Sequence, residues 1–114
     1  MEPFIGQIML FAGNFAPRGW ALCDGTLLDI QANSALFSIL GTTYGGNGTT
    51  TFALPDLRGR AALHVGDASD LNAVTLGQKV EPQKFTKARG DASTLPGLGL
   101  NYCIALSGLY PSRS

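Results

Sequence analysis

The stretch Leu98-Gly-Leu-Asn-Tyr-Cys-Ile-Ala-Leu-Ser107 has the most regular pattern in the chain. Large side chains alternate along it with small or polar ones, which is the period of a β-strand with two different faces. Cys103 lies on the face of small side chains. This stretch therefore predicts a strand, and it favours a mainly β fold.

Two further stretches predict strands near the beginning of the chain. Residues Phe4–Ala12 are apolar on both alternating faces, which predicts a strand buried on both sides. Residues Trp20–Asp24 alternate large and small side chains, so Cys23 also lies on a face of small residues. Because two such faces can approach closely, we expect the first and last thirds of the chain to be neighbours.

Between these strands the sequence predicts one short helix. Apolar residues recur at helical spacing over residues 31–40, Gly41 provides a stop, and Asp29 or Asn33 provides a cap. The run Thr49–Leu54 is rich in β-forming residues, and Ala61–Val65 is predicted to form another strand.

The segment from residue 67 to residue 97 is different in character. Apolar residues are fewer there, and four cations stand against four anions. A loop of this length in a compact domain is usually functional or disordered. The predicted fold is thus a single mainly β domain over residues 1–114, a small sandwich or barrel-like sheet with one short α-helix near 31–40 and a long polar loop near 67–97.

The composition restricts the classes of partner. The 114 residues are 45% hydrophobic and only 14% charged, with eight cationic and eight anionic side chains. A net charge of zero removes the electrostatic case for nucleic acid, and no stretch reaches the length of about 20 apolar residues that spans a membrane. The start of the chain has no basic region, so we expect no classical signal peptide. So little charge leaves an apolar surface, which favours self-assembly.

The residues offer little for catalysis or metal binding. His64 is the sole histidine, and the spacing of the other polar residues favours no catalytic constellation around it. Asp24 and Asp56 could form a carboxylate pair, but each lies in a turn, where Asp normally binds its own backbone. We therefore expect no enzyme, no metal and no cofactor.

Two pairs of residues leave alternatives open. Arg58 and Arg60 are two positions apart, so on a strand both would project to one face. There they could clamp a carboxylate or phosphate, or they could form a structural ion pair with Asp56 or with another subunit. Cys23 and Cys103 could be free core thiols, or they could form a disulfide that closes a loop of about 80 residues and contributes about 4 kcal/mol.

Several segments, in this order, resemble one protein family. They are Phe4-Ile-Gly-Gln-Ile8, Ala16-Pro-Arg-Gly-Trp-Ala-Leu-Cys-Asp-Gly25, Leu36-Phe-Ser-Ile-Leu-Gly-Thr-Thr-Tyr-Gly-Gly46, Phe52-Ala-Leu-Pro-Asp-Leu-Arg-Gly-Arg60 and Leu100-Asn-Tyr-Cys-Ile-Ala-Leu106. Over about residues 1–66 and 98–114 the chain resembles the phage tail collar domain, in its short bacterial form known as microcystin-dependent protein. The resemblance implies a mostly β domain from tail fibres, which are usually trimeric and are structural or receptor-binding parts.

One departure from this family concerns metal binding. Many relatives carry a His-x-His pair after a Val-Thr-Leu motif, and tail fibres hold metal ions with such histidines. Here Val74-Thr75-Leu76 is followed by Glu81-Pro-Gln-Lys-Phe85, and no histidine follows position 64. A metal-bound tip is therefore not implied for this chain.

Two functional hypotheses follow from the residues and the resemblance. The first is a non-catalytic subunit of a trimeric fibre or an extracellular filament, tail-associated or outside the cell, with assembly and structural residues Phe4, Ile5, Ile8, Trp20, Asp56, Arg58, Arg60 and Tyr102. The second is a tip that binds a cell-surface receptor or a glycan through the polar loop, with candidate contact residues Lys79, Lys84, Phe85, Lys87 and Arg89.

Overall fold

The described part of the chain is mainly β, with two small antiparallel sheets and one short helix. The computed structural model describes residues 2–66, 73–80 and 96–113. In chain order the elements are β1 (Ile8–Phe11), β2 (Trp20–Leu22), β3 (Leu27–Asp29), a 3₁₀ turn (Gln31–Asn33), α1 (Ser34–Leu40), β4 (Thr51–Ala53) and β5 (Asn101–Ala105).

The larger sheet joins the beginning of the chain to its last strand. Its order is β1-β5-β2, and both neighbours run antiparallel to β5. Met9 and Leu22 are both directly opposite Cys103. The expectation that the first and last thirds of the chain are neighbours is therefore confirmed.

The smaller sheet pairs β3 with β4, and Leu28 is directly opposite Phe52. Phe52 is fully buried, and its ring lies 5.4 Å from that of Phe37 on α1. The buried core consists of Ile5, Cys23, Leu36, Phe52, Leu54 and Ile104. Short elements of this kind are marginal alone, so this shared burial stabilises them.

A turn and a bulge begin β1. Gln7 N–H donates to Phe4 C=O, and Gly6, with φ +87°, allows the tight turn. Gly6 N–H donates to Ala105 C=O, and Ala105 N–H donates to Gln7 C=O. These two bonds define a bulge in which Gly6 is the extra residue.

The predicted strand Phe4–Ala12 is corrected by this turn. Only Ile8–Phe11 are in β-structure with β5, and the strand is not buried on both sides. Ile8 is 40% exposed and Leu10 is 55% exposed, because β1 is an edge strand and no described residue covers its outer side.

The helix prediction over residues 31–40 is confirmed as the 3₁₀ turn followed by α1. Asp29 Oδ2 accepts the N–H of Ala32 at 2.9 Å, which satisfies one of the free donors at the start of the helix. Gly41 ends α1 with φ +56°, and its N–H donates to Phe37 C=O.

Three other sequence-based predictions need correction. Ala61–Val65 is not a strand, because its backbone finds no neighbouring strand among the described residues, and Leu63 and Val65 are exposed. The strand predicted over 98–107 is limited to β5, and β3 was not predicted, because three residues carry too little alternation. The two sheets do not close into a barrel.

The chain divides into two compact units, Met1–Arg60 with Gly99–Ser114, and Ala61–Leu98. The first contains both sheets and α1. In the second, Gly66 and Val74 exchange two backbone hydrogen bonds, at 2.9 and 2.8 Å. The expectation of a single domain over residues 1–114 stays a prediction.

Candidate assembly surface

The two ends of the chain form an exposed apolar patch on the first unit. Ile5 N–H donates to Leu109 C=O at 2.8 Å, and Leu109 N–H donates to Pro3 C=O at 2.9 Å. Phe4 is 52% exposed and Leu109 is 50% exposed, directly opposite each other in a parallel bridge. A side chain at Gly108 would overlap Pro3, so the two segments lie as close as the backbone allows.

The helix α1 extends this patch. The hydroxyl of Tyr110 shares a hydrogen bond of 2.6 Å with that of Ser38, which fixes the end of the chain to the helix. A Cβ at Gly6 would lie 3.5 Å from Ile39 Cγ2, so Ile39 is beside the first turn. We call the exposed residues Phe4, Ile39, Leu109 and Tyr110 the terminal patch; none carries a charge.

A second candidate feature joins two of the motifs that carry the family resemblance. Asp24 and Asp56 are opposite each other in an antiparallel bridge, Leu57 N–H donates to Cys23 C=O, and Gly25 N–H donates to Pro55 C=O. Asp24 Oδ1 accepts the N–H of Thr26 at 3.1 Å. The Cys-Asp-Gly segment and the Pro-Asp-Leu-Arg segment are therefore two sides of one structural junction.

Arg58 forms an ion pair with Asp56, which is one of the alternatives that the sequence left open. Its Nε and Nη2 donate to the two carboxylate oxygens of Asp56, each at 2.8 Å. The hydrogen bond to Asp56 and then the charge of Asp56 raise the pKa of Arg58. Residues 57–60 form a turn, closed by Arg60 N–H on Leu57 C=O, so Arg58 and Arg60 do not share a strand face.

Both cysteines are buried free thiols. Leu22 is opposite Cys103, and Cys23 N–H donates to Tyr102 C=O, so Cys23 and Cys103 are one position out of register. Successive side chains of a strand point to opposite faces. Cys23 accordingly belongs to the core with Ile104, whereas Cys103 lies on the other face, and this geometry does not favour the disulfide alternative.

Burial also determines the acidity of these thiols. Burial, followed by the charges of Cys103 and Asp24, raises the pKa of Cys23 to about 12. Burial raises the pKa of Cys103 as well. Both groups are therefore protonated at neutral pH, and neither is an activated nucleophile.

The other residues assigned to assembly from the sequence are dispersed over the first unit. Ile5 is in the core, Tyr102 is partly buried against it, Trp20 is half-buried on β2 opposite Ala105, and Ile8 is on the exposed edge. Leu109, Tyr110 and Leu10 were not predicted from the sequence as assembly residues. The apolar pair Leu109–Tyr110 before Pro111 was a usable signal for the first two.

The polar loop is only partly described. Lys79 is exposed, whereas Lys84, Phe85, Lys87 and Arg89 lie outside the described residues. Gln78 N–H donates to Thr75 C=O at 3.0 Å, which closes a turn. The described parts of Ala61–Leu98 contain no buried side chain, and Leu63, Val65, Leu76 and Leu98 are all exposed.

Neither a membrane-spanning helix nor a metal-binding cluster occurs in the parts of the chain that the structure describes. No helix has both the length and the apolar character needed to cross a membrane. No three residues among His, Cys, Asp and Glu come together in a way that could hold a metal ion. His64 is exposed, and its Nδ1 donates to Val65 C=O at 2.7 Å.

These features describe a small mainly β module whose motif residues support its turns and whose exposed surface is rich in apolar side chains. The family model for the Phage Tail Collar Domain matches residues 6–62, half of the chain. The protein belongs to the phage tail collar domain family, a structural family of tail fibres. A comparison with curated proteins gave no match.

Proposed function

We propose that this protein is a non-catalytic structural subunit that associates with copies of itself, in a phage-tail-like fibre or an extracellular filament. The observation that carries the proposal is the terminal patch. Phe4, Leu109 and Tyr110 are each at least half exposed and are held in place by backbone and side-chain hydrogen bonds. An ordered apolar patch of this kind is typical of a surface that another chain covers.

The low charge supports the same proposal. Only 14% of the residues are charged, and the net charge is zero, so copies of the chain do not repel one another. The motif residues Asp24, Asp56 and Arg58 support turns instead of lining a reaction site. The family context agrees, because tail-collar domains are parts of fibres.

Sedimentation velocity over a concentration series, with negative-stain microscopy of the same samples, tests the proposal. We expect oligomers that grow with concentration. The variant Phe4→Ser removes an apolar side chain from the terminal patch, and we expect it to shift association to higher concentration. Leu27→Ser is the matched control, since Leu27 is 57% exposed and lies on β3 in the smaller sheet, outside the terminal patch. A wild-type protein that stays monomeric at the highest concentration contradicts the proposal.

The alternative is a receptor- or glycan-binding tip formed by the loop of residues 67–97. Replacing residues 81–95 by a short Gly-Ser linker tests it directly. Loss of binding to cells or glycans, with unchanged oligomers, would favour the tip. If the wild type and the linker variant both form oligomers, and neither binds cells or glycans, the result would favour the structural subunit.

A further inference from the structure

The edge strand β1 exposes its backbone as well as its side chains. Ala105 N–H donates to Gln7 C=O, so Gln7 and Ala105 form a hydrogen-bonded position. Such positions alternate along an antiparallel pair. Met9 and Phe11 therefore direct their N–H and C=O groups toward β5, whereas those of Ile8 and Leu10 point away from it, to the open edge.

The pairing on the other side of β5 agrees with this assignment. Cys23 N–H donates to Tyr102 C=O, and Leu106 N–H donates to Gly19 C=O. The even-numbered residues of β5 thus bond toward β2, which leaves the odd-numbered ones for β1. No described residue bonds to the outward groups of Ile8 and Leu10.

Proteins usually protect such an edge with charged residues, proline or a bulge within the strand. None of these interrupts Ile8–Phe11, because the bulge at Gly6 lies before the strand. Residues 3–17 carry no charged side chain at all. A charged partner strand finds no counter-charge there, whereas a second copy of this strand meets no like-charge repulsion.

The spacing of the open groups is also self-complementary. We infer that β1 pairs with β1 of a second copy, antiparallel about a two-fold axis at Met9, with Ile8 of each copy opposite Leu10 of the other. This inference deepens the proposed function, on which it rests. Each of the two Ile8–Leu10 positions exchanges two hydrogen bonds. Their side chains, which are 40% and 55% exposed in one chain, then lie side by side on one face of a continuous sheet.

This contact joins the β1-β5-β2 sheets of two copies edge to edge. It is isologous, so by itself it forms a pair of subunits. A second surface, for which the terminal patch is the candidate, is needed to extend a fibre. A four-residue edge is small beside the area of about 1,200 Å² that stable interfaces bury. Association through it alone is therefore weak and concentration-dependent.

The variant Leu10→Lys tests the pairing, with Leu27→Lys as its matched control. Leu27 has nearly the same exposure, at 57%, and lies on β3 in the other sheet. By sedimentation equilibrium, Leu10→Lys should weaken association by about tenfold or more. The substitution removes the apolar contact between Ile8 and Leu10 at both positions of the pair and places a charge there instead. Leu27→Lys should leave association unchanged. Wild-type oligomers that survive Leu10→Lys unchanged overturn the inference but leave the proposed function standing, whereas a monomeric wild type refutes both.

Cross-linking keeps the inference testable if Leu10→Lys fails to fold. In the proposed register the two Met9 residues face each other at a position where Cβ atoms lie about 4.5–5.5 Å apart. Met9→Cys, in a Cys103→Ala background that prevents pairing within one chain, should form disulfide-linked dimers on mild oxidation. Leu27→Cys in the same background is the control. Dimers at equal yield from both variants, or from neither, contradict the register.

Discussion

The replacement of Gly46 by alanine tests how tightly the Gly-Gly loop of the collar motif lies against β4. Gly46 has φ +92°, and a Cβ there would lie 2.4 Å from Phe52 Cα and 2.6 Å from Thr51 O. Ordinary contact begins at 3.4 Å, so the loop must retreat by about 1 Å. Phe52 is fully buried, so β4 cannot yield without disturbing the core.

The expected loss of stability has two parts. Left-handed backbone costs a residue with a side chain about 1–2 kcal/mol. Retreat of the loop also weakens the bonds from Ala53 N–H to Gly45 C=O and from Gly48 N–H to Thr51 C=O, at about 1 kcal/mol each. We therefore expect Gly46→Ala to lower the free energy of unfolding by about 3–4 kcal/mol, a large part of the stability of a small domain.

Gly59→Ala is the control that separates the two parts. Gly59 has φ +67°, but a Cβ there meets nothing within 4 Å. It should lower the free energy of unfolding by about 1–2 kcal/mol, from backbone strain alone. Urea unfolding followed by circular dichroism measures both variants. Equal losses for Gly46→Ala and Gly59→Ala would refute the close approach of the loop to β4.

Three further predictions concern the core, the loop and the thiols. Phe52→Ala removes a fully buried ring and should lower the free energy of unfolding by about 3–5 kcal/mol, measured by urea unfolding. Phe15→Ala is the control and should lower it by much less, because the side chain of Phe15 is 58% exposed. Asn47 Oδ1 accepts three backbone N–H groups, at 2.8, 2.8 and 3.0 Å, so Asn47→Ala should lower the melting temperature while Asn47→Asp, which keeps the acceptor, should preserve it. Cys23 and Cys103 should resist a thiol reagent in the native state and react in urea; labelling as fast in buffer as in urea would contradict their burial.

The pKa of Cys23 also predicts how stability depends on pH. In the folded state this pKa is about 12, above the ordinary thiol value of 9.0, so the folded state holds the proton more tightly. The contribution of the protonated Cys23 thiol to the free energy of unfolding is fully present below pH 9 and is lost as the pH rises toward 12. Urea midpoints for the wild type and Cys23→Ala should therefore converge as the pH is raised over this range, and a constant difference would contradict the shift.

The elements that the sequence predicted well are those with a strong local signal. The helix over 31–40 has apolar spacing, a cap at Asp29 and a stop at Gly41, and all of these act within a few residues. The central strand β5 was found because its alternation extends beyond the strand itself. The three-residue strand β3 was missed, since it exists through its pairing with β4 and has little pattern of its own.

The candidate site was predicted less completely for the same reason. Phe4 and Ile8 were selected as apolar residues near the start of the chain. Leu109 and Ile39 were not selected, because Leu109 meets Phe4 through a backbone bridge and Ile39 of α1 lies beside Gly6, both across long separations in sequence. The ion pair of Arg58 with Asp56 was within reach of sequence reasoning, since its partner is two residues away.

The sequence by itself determined that this is a mainly β member of the tail collar family with one short helix and an uncharged first strand. Residue identity and local spacing are sufficient for these properties, because turns, caps and alternation act over a few positions. Only the tertiary structure decided that Cys23 and Cys103 lie on opposite faces and that β1 is an open edge. Register and strand order depend on long-range pairing, and a shift of one residue exchanges the two faces of a strand.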